Sequence, residues 1–263
     1  MNMRTVLALS SASVLALTLT GCGSIDSDPA EAGDLGLVSD GTLTVCSDVP
    51  YPPFEDFDDS TESGYTGFDI DIVAAVAEGL ELDLEVKDSS FDALQSGLAL
   101  NAGQCDLVAS AMTINEDRKK NLDFTDGYYD SKQSLLVAEG SDIASIDDLE
   151  GKQVGVQQGT TGKAYAEENA TGAELITFPS DAEMYQAMQA SQVDALLQDL
   201  PVNLEHTRDG GYTIVEEYET DEQYGFAVKK GNTALVEAVN EQLTALRDSG
   251  DYDTLYDTYF SEG

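Results

Sequence analysis

The sequence predicts an α/β chain of two similar units, each a mostly parallel sheet flanked by helices. Three observations carry this prediction. Short apolar runs alternate with amphipathic stretches from residue 42 onward. The strand–helix rhythm runs through βαβαβ and then starts again. No long linker, low-complexity run or short-period repeat interrupts it.

Thr42-Leu43-Thr44-Val45-Cys46 reads as the first strand. Residues 68–80 follow as a helix, with Ile72, Val73, Val76, Ala77 and Leu80 at helical spacing behind acids in the first turn. Leu82 to Val86 is strand-like, and residues 91–101 read as one helix through Leu94 and Leu98, stopped at Asn101-Ala102-Gly103. Asp106 to Ala109 is a further buried strand. In the second unit, Gln153 to Val156 is a strand that opens through Gly159-Thr160-Thr161-Gly162 into a helix from Lys163. Glu174 to Phe178 is the next strand, residues 181–191 a helix, and Val193 to Leu197 a strand. Residues 232–260 close the chain, with Leu235, Val239, Leu243 and Leu246 on one stripe. Two short segments, 128–132 and 220–224, are expected to join the units as hinges. That division makes 41–127 and 225–263 the first lobe and 133–219 the second.

The first forty residues set the compartment. Arg4 supplies a short positive region, and Val6 to Leu19 is uncharged and apolar but short for a membrane span. Leu19-Thr20-Gly21-Cys22 resembles a bacterial lipobox, so residues 1–21 are expected to be a signal peptide and Cys22 the lipidated new N-terminus. Residues 22–40 are small and polar, as a flexible tether would be. The chain is therefore expected on the outer face of the cytoplasmic membrane, anchored by lipid. The 51 acids and 12 bases give a formal net charge of −39. Such a field repels nucleic acid and anionic lipid, and a solvated acidic surface of this kind suggests a saline habitat. With Cys22 assigned to lipid, Cys46 and Cys105 are either a disulfide or two small buried hydrophobes. Neither has the spacing of a metal site, and no metal or cofactor is expected.

Ligands of open α/β sheets sit beyond the C-terminal ends of the strands. Those ends bring forward Asp48 and Tyr51, then Phe91, then Ser110 to Thr113, then Gln157 to Gly162, then Gln198-Asp199, with Arg118 close by. An Arg fork and a helix N-terminus suit a carboxylate, and an isolated acid suits an ammonium. Together they describe a receptor for both ends of an α-amino acid. Asp199 could instead cap the helix that opens at Leu200-Pro201, and Tyr51 and Phe91 could be plain core. Asp69 is expected to support the start of its helix, and His206 is expected to face solvent.

The segments SDVPYPPFE (47–55), GFDIDIVAAVA (67–77), SAMTINEDRKKNLDFTDGYYDS (110–131), GVQQGTTGKAY (155–165), VDALLQDLPV (193–202) and QYGFAV (223–228) resemble the polar amino-acid solute-binding proteins of ABC importers, across nearly the whole mature chain. The resemblance implies a two-lobed type II periplasmic-binding-protein fold, a monomer, and an ABC permease as partner. It implies that Arg118 pairs with the ligand α-carboxylate, helped by Thr113, by a backbone N–H near Ala111 and by Thr161 beside Thr160. It places Asp199 on the α-ammonium with Ser110 nearby, and Tyr51 and Phe91 on either side of the ligand side chain. Asp48, Gln157 and Gln198 are implied at the distal end. That polar end suits an amide or a cation, so a glutamine-like or arginine-like ligand is expected. The rival readings are a dehydratase-like enzyme on the same fold, for which Asp48 would be the general acid or base, and a sensor input domain.

Overall fold

A computed structural model of the chain describes residues 35–261. The expected signal peptide and Cys22 lie outside the described residues. The first lobe opens with β1 (Thr42–Ser47), a short hairpin of β2 (Asp56–Phe57) and β3 (Tyr65–Thr66), and α1 (Phe68–Gly79). It continues through β4 (Asp83–Asp88), α2 (Phe91–Gln95), α3 (Leu98–Asn101), β5 (Leu107–Val108) and β6 (Leu122–Phe124). The chain then crosses into β7 (Tyr129–Ala138), β8 (Gln153–Gln157), α4 (Thr161–Asn169), β9 (Glu174–Phe178), α5 (Asp181–Gln189), β10 (Ala195–Asp199) and α6 (Leu200–Thr207). The long β11 (Tyr212–Tyr224) leads back to β12 (Ala227–Lys229), α7 (Thr233–Ser249) and α8 (Asp251–Phe260).

Two five-stranded sheets result, ordered β4-β1-β5-β12-β6 and β11-β7-β10-β8-β9. In the first, β1 runs parallel to β4 and β5, while β12 is antiparallel to both its neighbours. In the second, β10, β8 and β9 run parallel and β7 is antiparallel to β10 and β11. Each sheet thus has a single reversed strand, next to where the chain crosses between sheets. The segments 128–132 and 220–224 lie where β7 and β11 pair, with Tyr129 opposite Tyr224 and Ser131 opposite Glu222.

Burial explains the strands. Five of the six β1 residues are buried, as a central strand covered on both faces requires. Leu43, Val45, Val73 and Val239 belong to the core on one face of the first sheet; Cys46, Leu94, Val108 and Leu122 fill the other. The second sheet is covered in the same way by two further clusters. Cys46 and Cys105 form a disulfide with their Cα atoms 5.8 Å apart, which resolves the choice that spacing left open.

Two expectations need correction. Residues 91–101 are two helices, because Gly97 turns left-handed (φ 79°) between them and Leu98 is 64% exposed. The closing stretch is the helix-rich piece expected, as two helices, α7 and α8, that meet at Gly250 with φ 85°. The packed chain begins before residue 41: Leu35 and Leu37 lie against the core, and Val38 N–H donates to the buried Asp106. Gly67 fixes how α1 enters the site region. It has φ 125°, and a Cβ there would stand 2.2 Å from the Phe54 carbonyl oxygen, so no larger residue fits. Among the described residues, no helix is long and apolar enough to cross a membrane.

Candidate functional site

Between the two sheets is a narrow cavity. Its walls are strand ends and the turns after them. Asp48 and Tyr51 follow β1, Phe91 opens α2, and Ser110, Ala111, Thr113 and Arg118 follow β5; Gln157 ends β8, Thr160 and Thr161 open α4, and Asp199 ends β10. Eleven of the twelve residues expected at a ligand site therefore meet at one cavity. Gln198 does not line it. Adjacent strand residues point to opposite faces, so with Asp199 at the cavity the Gln198 amide is turned away. It donates to Asp181 Oδ1 (2.8 Å) and Asn203 Oδ1 (3.0 Å).

Arg118 is buried, and among the described residues no carboxylate is in ion-pair contact with it. Its guanidinium donates to the carbonyls of Thr113 (2.8 Å) and Gly159 (3.1 Å) and stands 5.2 Å over the Phe91 ring. Burial lowers it to about 10, partly offset by the charges of Asp199 and Glu222, so it stays protonated at neutral pH. A buried cation held only by carbonyls and a ring has electrostatic capacity left for an anion.

Asp199 is equally buried and makes no capping bond to α6. It accepts from the Tyr51 hydroxyl (2.9 Å), the Tyr224 hydroxyl (2.6 Å) and the Gln133 amide. Burial and then Glu222 push it up to about 6, against these three donors. Asp48 accepts from Gln157 Nε2 (2.6 Å), and burial pushes it up to about 7. Thr160 serves as the cap of α4, taking the Lys163 N–H at 3.1 Å. Ala111 has φ 44°, and its N–H donates to Asp69 Oδ2 (2.9 Å) rather than into the cavity. Asp69 stands in the first turn of α1, as expected, and also ties that helix to the cavity wall: Tyr128 donates to the same oxygen, at 2.6 Å.

Several supporting residues carry no local signal. Glu222 accepts from the Thr113 and Thr161 hydroxyls, 2.7 Å each, and from Gln133 at 3.0 Å. Tyr224 and Gln133 hold Asp199, and Glu55 accepts from Ser110 at 2.6 Å. Only Tyr224 and Glu55 fall inside quoted motifs. His206, expected in solvent, is buried: it bonds Asp181 Oδ1 at 2.9 Å and stacks on Tyr185 at 3.8 Å.

Contacts that bridge the two sheets' strand ends include Tyr51 to Asp199, Gln157 to Asp48, Arg118 to Gly159, Thr113 to Glu222, and Thr113 with Thr161 at 3.4 Å. The model of the bacterial extracellular solute-binding proteins, family 3, matches residues 43–262. The chain belongs to this family. A probable histidine-binding protein of Neisseria gonorrhoeae is 32% identical over all of this chain and 97% of its own length. The solved structure of an ancestral arginine-binding protein bound to glutamine is 37% identical with a TM-score of 0.79, covering 85% of this chain and 100% of that one. An ancestral amino acid-binding protein, a precursor of cyclohexadienyl dehydratase, is 36% identical with a TM-score of 0.75, covering 84% and 96%. The two-lobed type II periplasmic-binding-protein fold is accordingly the fold of this family 3 chain. Among its described residues, no cluster of His, Cys, Asp and Glu has the makings of a metal site.

Proposed function

We propose that this protein captures an α-amino acid with a polar or cationic side chain between its lobes and presents it to an ABC permease outside the cytoplasm. The observation that carries the reading is a buried cation and a buried acid on the walls of one cavity, Arg118 and Asp199. A zwitterion offers the complementary pair of charges. Arg118 takes the carboxylate with the backbone N–H groups of Thr113 and Thr161, whose hydroxyl hydrogens go to Glu222; Asp199, with Ser110, takes the ammonium. Tyr51 and Phe91 border the side chain, and Asp48 with Gln157 meets its polar end. The relatives named for histidine and arginine, and the glutamine-bound structure, fit such an end.

The lobes hinge where β7 and β11 pair. Because the cavity draws residues from both sheets, ligand contacts are complete only when the lobes are shut, and that difference in affinity drives closure. Cys22 anchors the monomer to the membrane by lipid.

The test is calorimetric titration of wild type and Arg118→Met with L-arginine and L-glutamine. Removing one partner of a buried charge pair costs about 3–5 kcal/mol, so affinity should fall by roughly two to four orders of magnitude while the protein stays folded. Retained affinity would refute the assignment. An enzyme reading has one observation in its favour, Asp48 held near 7, where a general acid or base works best. Product from prephenate or arogenate would favour it over capture.

A further inference from the structure

Under the cavity floor lies a pair of buried carboxyls that the ligand scheme does not use. Glu55 and Asp69 are both fully buried, and burial followed by Asp69 pushes Glu55 well above the usual carboxylate range. Each keeps one oxygen, Glu55 Oε2 and Asp69 Oδ1, without a hydrogen-bond partner among the described residues. Their other oxygens hold two consecutive residues of the cavity wall. Asp69 Oδ2 takes the Ala111 N–H, and Glu55 Oε1 takes the Ser110 hydroxyl. Glu55 is itself fixed by the turn it closes, where Tyr51 N–H donates to its carbonyl at 2.7 Å.

The chemistry of Ser110 follows from its partners. Its oxygen accepts the Asp48 N–H (3.1 Å) and sits 2.6 Å from Glu55 Oε1. A hydroxyl has one hydrogen and two lone pairs, and an ammonium has hydrogens only. With Asp48 donating on one side and an ammonium donating on another, the hydroxyl hydrogen has to go to Glu55. We propose that Glu55 is a positioning residue of the site: by taking the Ser110 hydrogen, it leaves that oxygen as an acceptor for the ligand ammonium. Without Glu55 the hydrogen turns into the cavity and opposes the ammonium. The arrangement holds whether Glu55 is ionised or protonated on Oε2, since Oε1 accepts in both states. This inference rests on the amino-acid reading above.

The test is a double-mutant cycle read by calorimetry, using the tighter of L-arginine and L-glutamine. Ser110→Ala and Glu55→Leu should each weaken binding by about ten-fold or more, the size expected of a hydrogen bond to a charged group. The double variant should bind no more weakly than the weaker single, because both remove the same acceptor. Glu55→Gln, whose carbonyl oxygen can still accept from Ser110, should restore affinity to within a few-fold of wild type. If leucine is not accommodated, Glu55→Ala takes its place in the cycle. Unchanged affinity in either single variant, or losses that multiply in the double, would overturn the proposal while the amino-acid reading stands. If wild type binds neither amino acid, both fall together.

Discussion

Asp48 offers a test in which a buried charge is read through pH. The side chain is 8% exposed, and burial is the main reason its carboxyl rises to about 7; Asp88 and Asp181 add to the rise, while Gln157 and the Phe91 N–H oppose it. In the unfolded chain the same group titrates near 3.9. Between those two values the folded protein holds a proton that the unfolded chain has lost. Stability therefore falls as pH rises from about 4 to about 7 and levels off above. At 1.36 kcal/mol per pH unit the ionised group costs about 4 kcal/mol at pH 8, but only about 1.5 kcal/mol at pH 5. Asp48→Asn removes the ionisation and keeps an oxygen for Gln157. The variant's stability advantage over wild type should thus grow by about 3 kcal/mol from pH 5 to pH 8. Urea unfolding of both ligand-free proteins at the two pH values measures it. Asp69 and Asp199 also titrate in this window, but they are present in both proteins and largely cancel. An equal advantage at both pH values would refute the reasoning. The same variant bears on the ligand. A guanidinium stabilises ionised Asp48 and an amide does so far less, so Asp48→Asn should weaken L-arginine more than L-glutamine; equal losses would remove Asp48 from side-chain recognition.

Two further outcomes are expected. The Cys46–Cys105 disulfide closes a loop with a sequence separation of 59, and its removal by paired alanines should cost about 4 kcal/mol in the chain-entropy account, seen as a lower unfolding temperature. It sits in the core beneath α2 and α3, so ligand affinity should stay within a few-fold, and a larger loss would show that the core sets the site. The net charge of −39 makes the chain repel itself, so molar KCl should raise the unfolding midpoint relative to dilute buffer. A midpoint that does not move would end the saline-habitat reading.

The strands were legible because buried parallel strands are short apolar runs, and the cavity residues were legible because they stand at the ends of those runs. What the sequence hid depends on partners far along the chain. Leu94 and Leu98 share a helical stripe only if Gly97 continues the helix, and it does not. His206 sits among polar neighbours, yet Asp181 and Tyr185 of α5 cover it from some 25 residues away. The contrast between Arg118 and the hidden acids is sharper. With 12 bases in the chain, one arginine beside the strand ends stands out, and among the described residues it is the single buried Lys or Arg. With 51 acids, a functional acid does not stand out: Glu222 lies in Glu219-Thr220-Asp221-Glu222, where three of four residues are acidic. Burial, not residue type, separates such an acid from its neighbours, and a buried carboxylate needs donors. Asp199 has two tyrosines and a glutamine, and Glu222 has two threonines and that same glutamine. In a chain this acidic, the informative residues are therefore the neutral donors. Gln133 bridges Asp199 and Glu222 with one amide nitrogen, and so ties the acid proposed for the ammonium to the acid that engages the threonines proposed for the carboxylate.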